Sequence, residues 1–309
     1  MESTIKSLYL EVVAVTVRRA PLWCTRKVTV NREQSMIKPR LLTEQDREKV
    51  LEYVSDEPEM AVFITGDIEQ FGMKDPVSVY AFENPDGSWD SIVLRFYANY
   101  VCYSPNDWFD AASVAEFIRD STGNSFFGSI NGKYQVIAAL AGYLDELDMR
   151  SLNLAKCTHL KLDKVAPPPD GTAIRKLTPE NYDELFALLG AMDEYRGLYS
   201  DKRAISLAKL QKAADEAHGC LTYGAFSDGV LVSTAATSAV SSESAMVVGV
   251  GTRNDMRGYG FATAVVAQLC KDAFDSGMKF LTLFYENPSA GRIYQRIGFE
   301  PAGRYAMLR

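Results

Sequence analysis

The sequence predicts an α/β protein of the α+β type, with two domains that each hold a mixed, mostly antiparallel sheet flanked by helices. Three observations predict this fold. Apolar residues follow the strand period in some segments and the helical period in others. The order of these segments in the first half of the chain returns in the second half. A stretch rich in proline, VAPPPDGT at 165–172, separates the halves, because it can continue neither a helix nor a central strand.

Length and composition agree with two globular domains. The 309 residues exceed the usual size of one domain, and 47% of them are hydrophobic. We assign residues 36–165 to an N-terminal domain and residues 172–309 to a second domain. Residues 1–35 form an extension of unknown role. Its apolar run is too short to span a bilayer and carries Glu11, so we expect no membrane contact.

Charge and cysteine usage limit the partners and the chemistry. The formal net charge of -7 disfavours broad nucleic-acid binding, which needs a basic face. The five cysteines are scattered without a C-x-x-C pair, and the chain has only two histidines, so the spacing predicts no metal site. Dispersed cysteines are typical of a reducing compartment, and we therefore expect a cytoplasmic protein. No feature of the sequence indicates the oligomeric state.

The second half begins with a strand at 173–176, after which Thr178 caps a helix that has Pro179 in its first turn. Glycines and turn residues then separate the elements that follow. These are a helix at 202–217, strands near 220–226, 230–240 and 245–251, a helix ending at Ser276, a strand at 279–286, a helix from Asn287 to Gly298, and terminal strands.

The first half follows a similar order. Its elements are a strand at 37–42, helices at 44–55 and near 60–71, strands near 77–83, 89–97 and 100–104, a helix at 111–120, a short strand, a helix at 132–141 and a strand after 148. Where the second half has a glycine turn, the first half has CYSPNDWFDAAS, which contains no glycine. We expect that the first half does not hold the ligand described next.

The stretch VGVGTRNDMRGYGFATAVVAQL, at 248–269, runs from a strand through a glycine-rich turn into a helix. Open amides beside the positive end of a helix dipole bind phosphate, so a phosphorylated ligand is expected. A P-loop is excluded because no Gly-Lys-Ser or Gly-Lys-Thr occurs. The dinucleotide pattern G-x-G-x-x-G is incomplete, since Thr263 takes the place of its third glycine. A nicotinamide oxidoreductase remains an alternative.

Two motifs in the second half resemble one known family. Arg257-x-x-Gly260-x-Ala262 resembles the [QR]-x-x-G-x-[GA] pyrophosphate loop of the GNAT superfamily, the acetyl-coenzyme A dependent N-acetyltransferases. LFYENPSAGRIYQRIGF, at 283–299, resembles the N-x-x-A-x-x-x-Y-x-x-x-G-F segment of the same superfamily. The resemblance covers about residues 172–309. Over residues 36–165 it consists of element order alone, which implies a degenerate GNAT-like copy.

The second motif also has a local physical interpretation. Asn287 suits the N-cap of a short helix and Gly298 its left-handed end. Tyr294 has Ala290 and Gly291 one turn before it on the same side. These small residues are expected to leave room for a ligand beside the phenol.

The resemblance implies a role for each matching residue. Val248 and Val250 would pair with the pantetheine arm, and an amide on this strand would polarise the thioester. Asn287 would contact the arm, and Tyr294 would protonate the departing thiolate. The pyrophosphate would lie on the backbone of the loop, assisted by the charge of the first residue: Arg257, Gly258, Tyr259, Gly260, Phe261 and Ala262.

The resemblance implies an acyltransferase that moves an acetyl group from acetyl-CoA to a primary amine by direct attack. The acceptor would be a small-molecule or peptide amine. The strand AMVVGVG carries no ionisable side chain, so the general base is sought elsewhere. Glu194 and Glu286 are candidates, and a water chain to solvent is a third possibility. Alternatively, the protein is a non-catalytic regulatory module that binds acyl-CoA.

Overall fold

The computed structural model describes residues 37–106, 108–122, 128–195, 199 and 201–309. The extension at 1–35, whose role is unknown, lies outside the described residues. The described chain divides into two compact units. The C-terminal unit holds Asn153–Gly303, and the N-terminal unit holds the residues up to Leu152 together with Arg304–Arg309. The domain bounds 36–165 and 172–309 remain a prediction from the sequence.

The N-terminal unit contains the sheet order β1-β2-β3-β4-β5-β12. Only β4 and β5 pair in parallel, among the pairs with a described register in this unit; β1–β2, β2–β3, β3–β4 and β5–β12 are antiparallel. Its strands are β1 (Pro39–Leu41), β2 (Val77–Glu83), β3 (Trp89–Phe96), β4 (Asn99–Tyr103), β5 (Ile130–Lys133) and the end of β12 (Glu300–Leu308). Its helices are α1 (Arg47–Tyr53), α2 (Val62–Phe71), α3 (Ala111–Thr122) and α4 (Tyr134–Ala141).

The C-terminal unit contains the sheet order β6-β11-β10-β9-β8-β7. Here β10 and β11 pair in parallel, while β6–β11, β9–β10, β8–β9 and β7–β8 are antiparallel. Its strands are β6 (Met149–Cys157), β7 (Thr172–Lys176), β8 (Thr222–Ser227), β9 (Val230–Ser238), β10 (Ser244–Thr252) and β11 (Phe280–Tyr285). Its helices are α5 (Tyr182–Ala191), α6 (Lys202–Ala217), α7 (Phe261–Asp275) and α8 (Pro288–Ile297). The mixed, mostly antiparallel sheets flanked by helices confirm the predicted fold class.

Alternation along the strands gives the sheet of the C-terminal unit two apolar faces. On one face, Ala225 of β8 and Val247 of β10 pack into a core with α7 and α8. On the other face, Phe226 and Leu231 pack into a second core with α5 and α6. We call these the α7 face and the α5–α6 face. The helices on both faces hold the central strands in a fixed position.

The helix boundaries follow the predicted capping residues. Asn287 Oδ1 accepts a hydrogen bond from Ser289 N at 2.8 Å, which fixes the start of α8. At its end, Gly298 has φ 128, and a Cβ built there would lie 2.3 Å from His159 O. Glycine is therefore required at this position by conformation and by space. In the described part of the chain, no helix combines the length and the hydropathy that a membrane crossing needs.

Asp67 on α2 is a buried carboxyl in the N-terminal unit, with 4% of its surface exposed. Burial raises its pKa from 3.8 to about 8, because the charged form loses its hydration. Between the pKa of the unfolded chain and that of the native protein, only the native protein keeps this proton. Raising the pH over that range therefore favours the unfolded state. The free energy of unfolding should therefore fall between about pH 4 and pH 8, by at most about 1.4 kcal/mol per pH unit.

We predict that Asp67→Asn removes this dependence and makes the protein more stable than the wild type at pH 8. The measurement is urea unfolding from pH 5 to pH 8. Glu69→Gln on the same helix is the control, because Glu69 is exposed; it should keep the wild-type slope. A wild-type stability that does not fall over this range would contradict the prediction.

Candidate active site

Strand β10 separates from β11 before either strand ends. The described register of the pair runs from Ser244↔Phe280 to Met246↔Thr282, whereas β10 continues to Thr252 and β11 to Tyr285. Between Val248 and Gly251 the pairing of β10 with β9 is shifted by a bulge, and Gly249 has φ 60. Bulges bend a strand away from its neighbour. The result is an open strand edge that includes Val248 and Val250, both half-buried.

The predicted phosphate loop follows directly from the end of β10. Gly258 and Gly260 have φ 87 and 93, and a Cβ built on either one meets no atom within 4 Å. Gly260 is the N-cap of α7 and contributes no side-chain hydrogen bond. The first hydrogen bond of the helix runs from Ala264 N to Gly260 O at 3.0 Å. The preceding helical amides are therefore open to an anion, at the positive end of a helix of 15 residues.

The side chains of this loop differ in exposure. Tyr259 is 64% exposed, and Ala262 is half-buried. Phe261 is 2% exposed and lies in the core of the α7 face. The buried phenylalanine anchors the loop to the sheet, so that the two glycines are held in a defined place.

Arg257 contacts Glu194, one of the two candidate bases. Arg257 Nη2 lies 2.6 Å from Glu194 Oε2, and its Nε donates to Thr252 O at 3.1 Å. Burial alone would raise the pKa of Glu194, but the hydrogen bond and the charge of Arg257 outweigh it and lower the pKa. A carboxylate in this pair is a poor general base. The guanidinium of Arg257 would have to leave Glu194 before it could bind a diphosphate.

Tyr294 lies on α8 inside an aromatic cluster. Its ring centroid is 6.0 Å from that of Tyr285 and 6.0 Å from that of Phe299, and 7% of the residue is exposed. Burial raises its pKa above the ordinary value for a phenol, with a smaller contribution from Cys270. The hydroxyl is therefore protonated at neutral pH and has a proton to donate. The space expected beside Gly291 is filled, since a Cβ there would lie 2.5 Å from the ring of Tyr285.

Tyr195, which was not predicted from the sequence, lies at the same opening. Its hydroxyl donates to Val250 O at 3.3 Å, and its ring packs against Gly251. Burial raises its pKa, and Tyr294 is near enough to contribute. The structure thus places Tyr195 at the open edge of β10, with Tyr294 near it. The sequence offered one signal for Tyr195, namely that it directly follows the candidate base Glu194.

The remaining predicted residues lie at the end of β11. Glu286 follows the last residue of this strand and is half-buried. Asn287 is exposed, and its side-chain oxygen is used by the cap of α8. The structure therefore accounts for Asn287 by helix capping, while its contact with a ligand stays a prediction.

A pocket opens on the α5–α6 face and reaches β10 at its bulge. It has about 730 Å³ of empty volume, part of which is open to solvent. We call it the helix-side pocket. It is lined by residues of α5, α6, β8, β9 and β10 and by Tyr199: Leu185, Phe186, Leu189, Tyr199, Ala208, Gln211, Lys212, Asp215, Thr222, Thr234, Ala236, Thr237, Ser238, Val248 and Gly249. A mostly apolar concave lining with a few polar groups is the usual form of a small-molecule site.

The corresponding strands of the N-terminal unit do not separate within the described residues. The parallel pairing of β4 and β5 ends at Cys102↔Gly132, and both strands stop one residue later. Lys133 Nζ lies 2.7 Å from Glu57 Oε2, to which the hydroxyl of Tyr103 also donates at 3.0 Å. This polar contact occupies the strand ends where the C-terminal unit has its opening.

Comparison with known proteins identifies a family for part of the C-terminal unit. Residues 186–299 match the sequence model of the acetyltransferase (GNAT) family. The C-terminal unit therefore carries a GNAT acetyltransferase domain at residues 186–299, which supports acyl transfer in general. No curated protein matches the sequence.

Solved structures show the same fold. The chain is similar to a GCN5-related N-acetyltransferase from Sphaerobacter thermophilus, with a TM-score of 0.59 and 17% identity over 88% of this chain and 94% of that one. It is also similar to a tandem GNAT protein from the clavulanic acid biosynthesis pathway, with a TM-score of 0.54 and 14% identity over 88% and 98%. A GCN5-related N-acetyltransferase from Kribbella flavida has a TM-score of 0.52 and 22% identity over 71% and 86%.

We predict that Glu194→Gln strengthens the binding of coenzyme A by up to about fivefold, because it frees Arg257 from an exposed ion pair. Isothermal titration of coenzyme A into the variant measures the change. Asp275→Asn is the matched control, since Asp275 Oδ2 pairs with Lys271 Nζ at 2.6 Å toward the other end of α7; it should leave binding unchanged. Weaker binding by Glu194→Gln would show that the ion pair supports the loop instead.

Proposed function

We propose that this protein transfers an acetyl group from acetyl-CoA to a primary amine by direct attack. The observation that carries the proposal is the continuity of the open edge of β10 with the uncapped glycine turn of α7. A strand edge can pair with the amide-bearing arm of a cofactor, as it pairs with a peptide. The turn at its end offers amides to a diphosphate. Coenzyme A carries both groups in that order.

In the proposed reaction, the backbone of 257–262 binds the diphosphate, and Val248–Val250 pairs with the pantetheine arm. An amide of this strand donates to the thioester oxygen and stabilises the negative charge that develops there. The amine nitrogen forms a bond to the acyl carbon, and the carbon–sulfur bond then breaks. The thiolate takes a proton from Tyr294, and the nitrogen loses one to a base or to water.

The proposed roles of Tyr294, Glu194 and Glu286 differ in their support. Tyr294 keeps its proton at neutral pH, as a donor to the thiolate has to. Glu194 is held by Arg257 and could act as a base only after that ion pair opens. Glu286 is half-buried at the end of β11, beside the proposed cofactor arm. We propose Glu286 or a water chain as the path for the amine proton.

The proposal also covers the setting of the reaction. Four cysteines of the described chain, Cys102, Cys157, Cys220 and Cys270, are buried and free of disulfides. Reduced thiols are typical of a reducing compartment, which supports a cytoplasmic protein. The proposed reaction requires no metal, because the thioester already carries a good leaving group. The N-terminal unit is proposed to be a degenerate copy that holds no cofactor, since its β4 and β5 stop one residue after their pairing ends.

We predict that Gly260→Glu lowers the affinity for acetyl-CoA by at least about tenfold. The substitution puts a carboxylate beside the diphosphate and a side chain at φ 93. Titration of acetyl-CoA followed by calorimetry measures the loss. The matched control is Gly229→Glu, because Gly229 has φ 78 and equally open surroundings in the β8–β9 turn. Equal affinities of the two variants would refute the proposed phosphate site.

We predict that Tyr294→Phe lowers kcat by about a hundredfold or more while acetyl-CoA affinity changes little, because only a proton donor is lost. Release of coenzyme A over a panel of amines measures kcat. Tyr285→Phe, in the adjacent ring, is the control and should retain turnover.

The same experiment tests the alternative function. If the wild type binds acetyl-CoA but releases no coenzyme A with any amine, the protein is an acyl-CoA-binding regulatory module. If the wild type releases coenzyme A and Tyr294→Phe keeps its full kcat, the protein is an enzyme, but Tyr294 is not its proton donor.

A further inference from the structure

The helix-side pocket begins where the proposed acyl group would lie. Val248 and Gly249 line it at the bulge of β10, and Val248 also belongs to the open strand edge. An amine in this pocket would reach the thioester from the α5–α6 face. The inference that follows names the class of acceptor, and it rests on the proposed function.

The floor of the pocket is a row of residues across three strands. Thr222 of β8 pairs with Ala236 of β9, and Ala236 pairs with Val248 of β10. Directly paired residues point to the same face of a sheet. Two strand spacings separate the ends of this row, which is roughly 10 Å. The small side chain of Ala236 leaves space above the middle of the row, so a ligand can lie across the three strands.

The wall above this floor is apolar. Leu185, Phe186 and Leu189 of α5 line the pocket, and all three belong to the core of the α5–α6 face. Such a wall favours an acceptor whose middle part is a hydrocarbon or an aromatic ring. A strongly charged body, such as that of an amino sugar, would lose its hydration there without compensation.

The end of the row away from β10 is polar and incompletely paired. Thr222 is 1% exposed, and within the described residues its Oγ1 has no hydrogen-bond partner. A buried hydroxyl without a partner is costly, which points to a ligand atom that pairs with it. Asp215 of α6 lines the same end, where its carbonyl accepts from Cys220 N at 2.9 Å.

The Asp215 carboxyl has one described side-chain bond, accepted from Gln211 Nε2 at 2.8 Å. Burial raises its pKa, although the charge of Lys212 acts in the opposite direction. Both the carboxylate and the threonine hydroxyl can accept a hydrogen bond. Their common partner would be a group that donates.

We propose that the helix-side pocket binds a small primary amine with an apolar body and a hydrogen-bond-donating group, hydroxyl or ammonium, roughly 10 Å from the reacting nitrogen. The nitrogen lies at Val248 and Gly249, and the donating group lies at Thr222 and Asp215. A carboxylate at this end would meet the negative charge of Asp215, although Lys212 also lines the pocket, so we expect it to bind more weakly than the two donors.

The test compares heptylamine with its ω-hydroxyl, ω-ammonium and ω-carboxylate derivatives, using acetyl-CoA and the full chain. We expect kcat/KM for the hydroxyl and ammonium compounds to exceed that for heptylamine by at least about tenfold, because a site built to hydrogen-bond a polar group discriminates strongly against its absence. The carboxylate compound should be the poorest substrate. Equal values for heptylamine and the two donors, or a preference for the carboxylate, would overturn the inference.

Thr222→Val should bring the preference for the two donors over heptylamine to within about threefold. Thr282→Val is the matched control, because Thr282 is also buried with an Oγ1 that lacks a described partner, and it lies outside the lining of the pocket. It should keep the wild-type preference. Asp215→Asn should lower the rate with the ammonium compound more than the rate with the hydroxyl compound. These ratios are unaffected by a loss of folded protein, since both substrates meet the same sample.

Calorimetric binding of the four amines to the protein with coenzyme A separates the two proposals. If no amine is acetylated but the donors bind at least tenfold tighter than heptylamine and lose this advantage in Thr222→Val, the pocket is assigned correctly and the transfer reaction is wrong. If amines are acetylated and bind without regard to the far group, the transfer reaction stands and this inference fails.

Discussion

The C-terminal unit depends on one strand that loses its neighbour. A central strand ordinarily pairs on both sides, because buried amide and carbonyl groups need partners. The described pairing of β10 with β11 ends at Met246, and its pairing with β9 is interrupted by a bulge at Val248–Gly251. Val250 O accepts from Tyr195 and Gly251 O accepts from Ser233, so the remaining polar groups of this segment are the ones available to a ligand. The glycine turn lies beside them because it is the direct continuation of the same strand.

The opening at β10 is bordered by the start of α7 on one face of the sheet and by the helix-side pocket on the other. On the α7 face, Phe261 is buried in the core, so the start of α7 is held against the sheet. On the α5–α6 face, small residues such as Ala236 leave space above the strands. Tyr195 reaches Val250 from the end of α5, and Tyr294 comes from α8. The proposed cofactor site and the proposed acceptor pocket would therefore meet at the bulge of β10.

The N-terminal unit shows what the same order of elements becomes without that separation. Its parallel strands β4 and β5 stop together, and the ends are covered by the contacts of Lys133 and Tyr103 with Glu57. Strand order alone does not make a cofactor site. The site requires a strand that continues past its partner and a turn that glycine allows to stay bare.

From the sequence alone, the order of helices and strands could be predicted, because hydrophobic period and caps such as Thr178, Asn287 and Gly298 act within a few residues of one another. The glycine turn was predictable for the same reason. Tertiary structure alone decided the pairing of Arg257 with Glu194, the presence of Tyr195 at the strand opening, and the filling of the space beside Gly291 by Tyr285. It also decided that Arg304–Arg309 complete the N-terminal unit. These contacts join residues far apart in the chain, and no local pattern records which of several compatible side chains will meet when the sheet assembles.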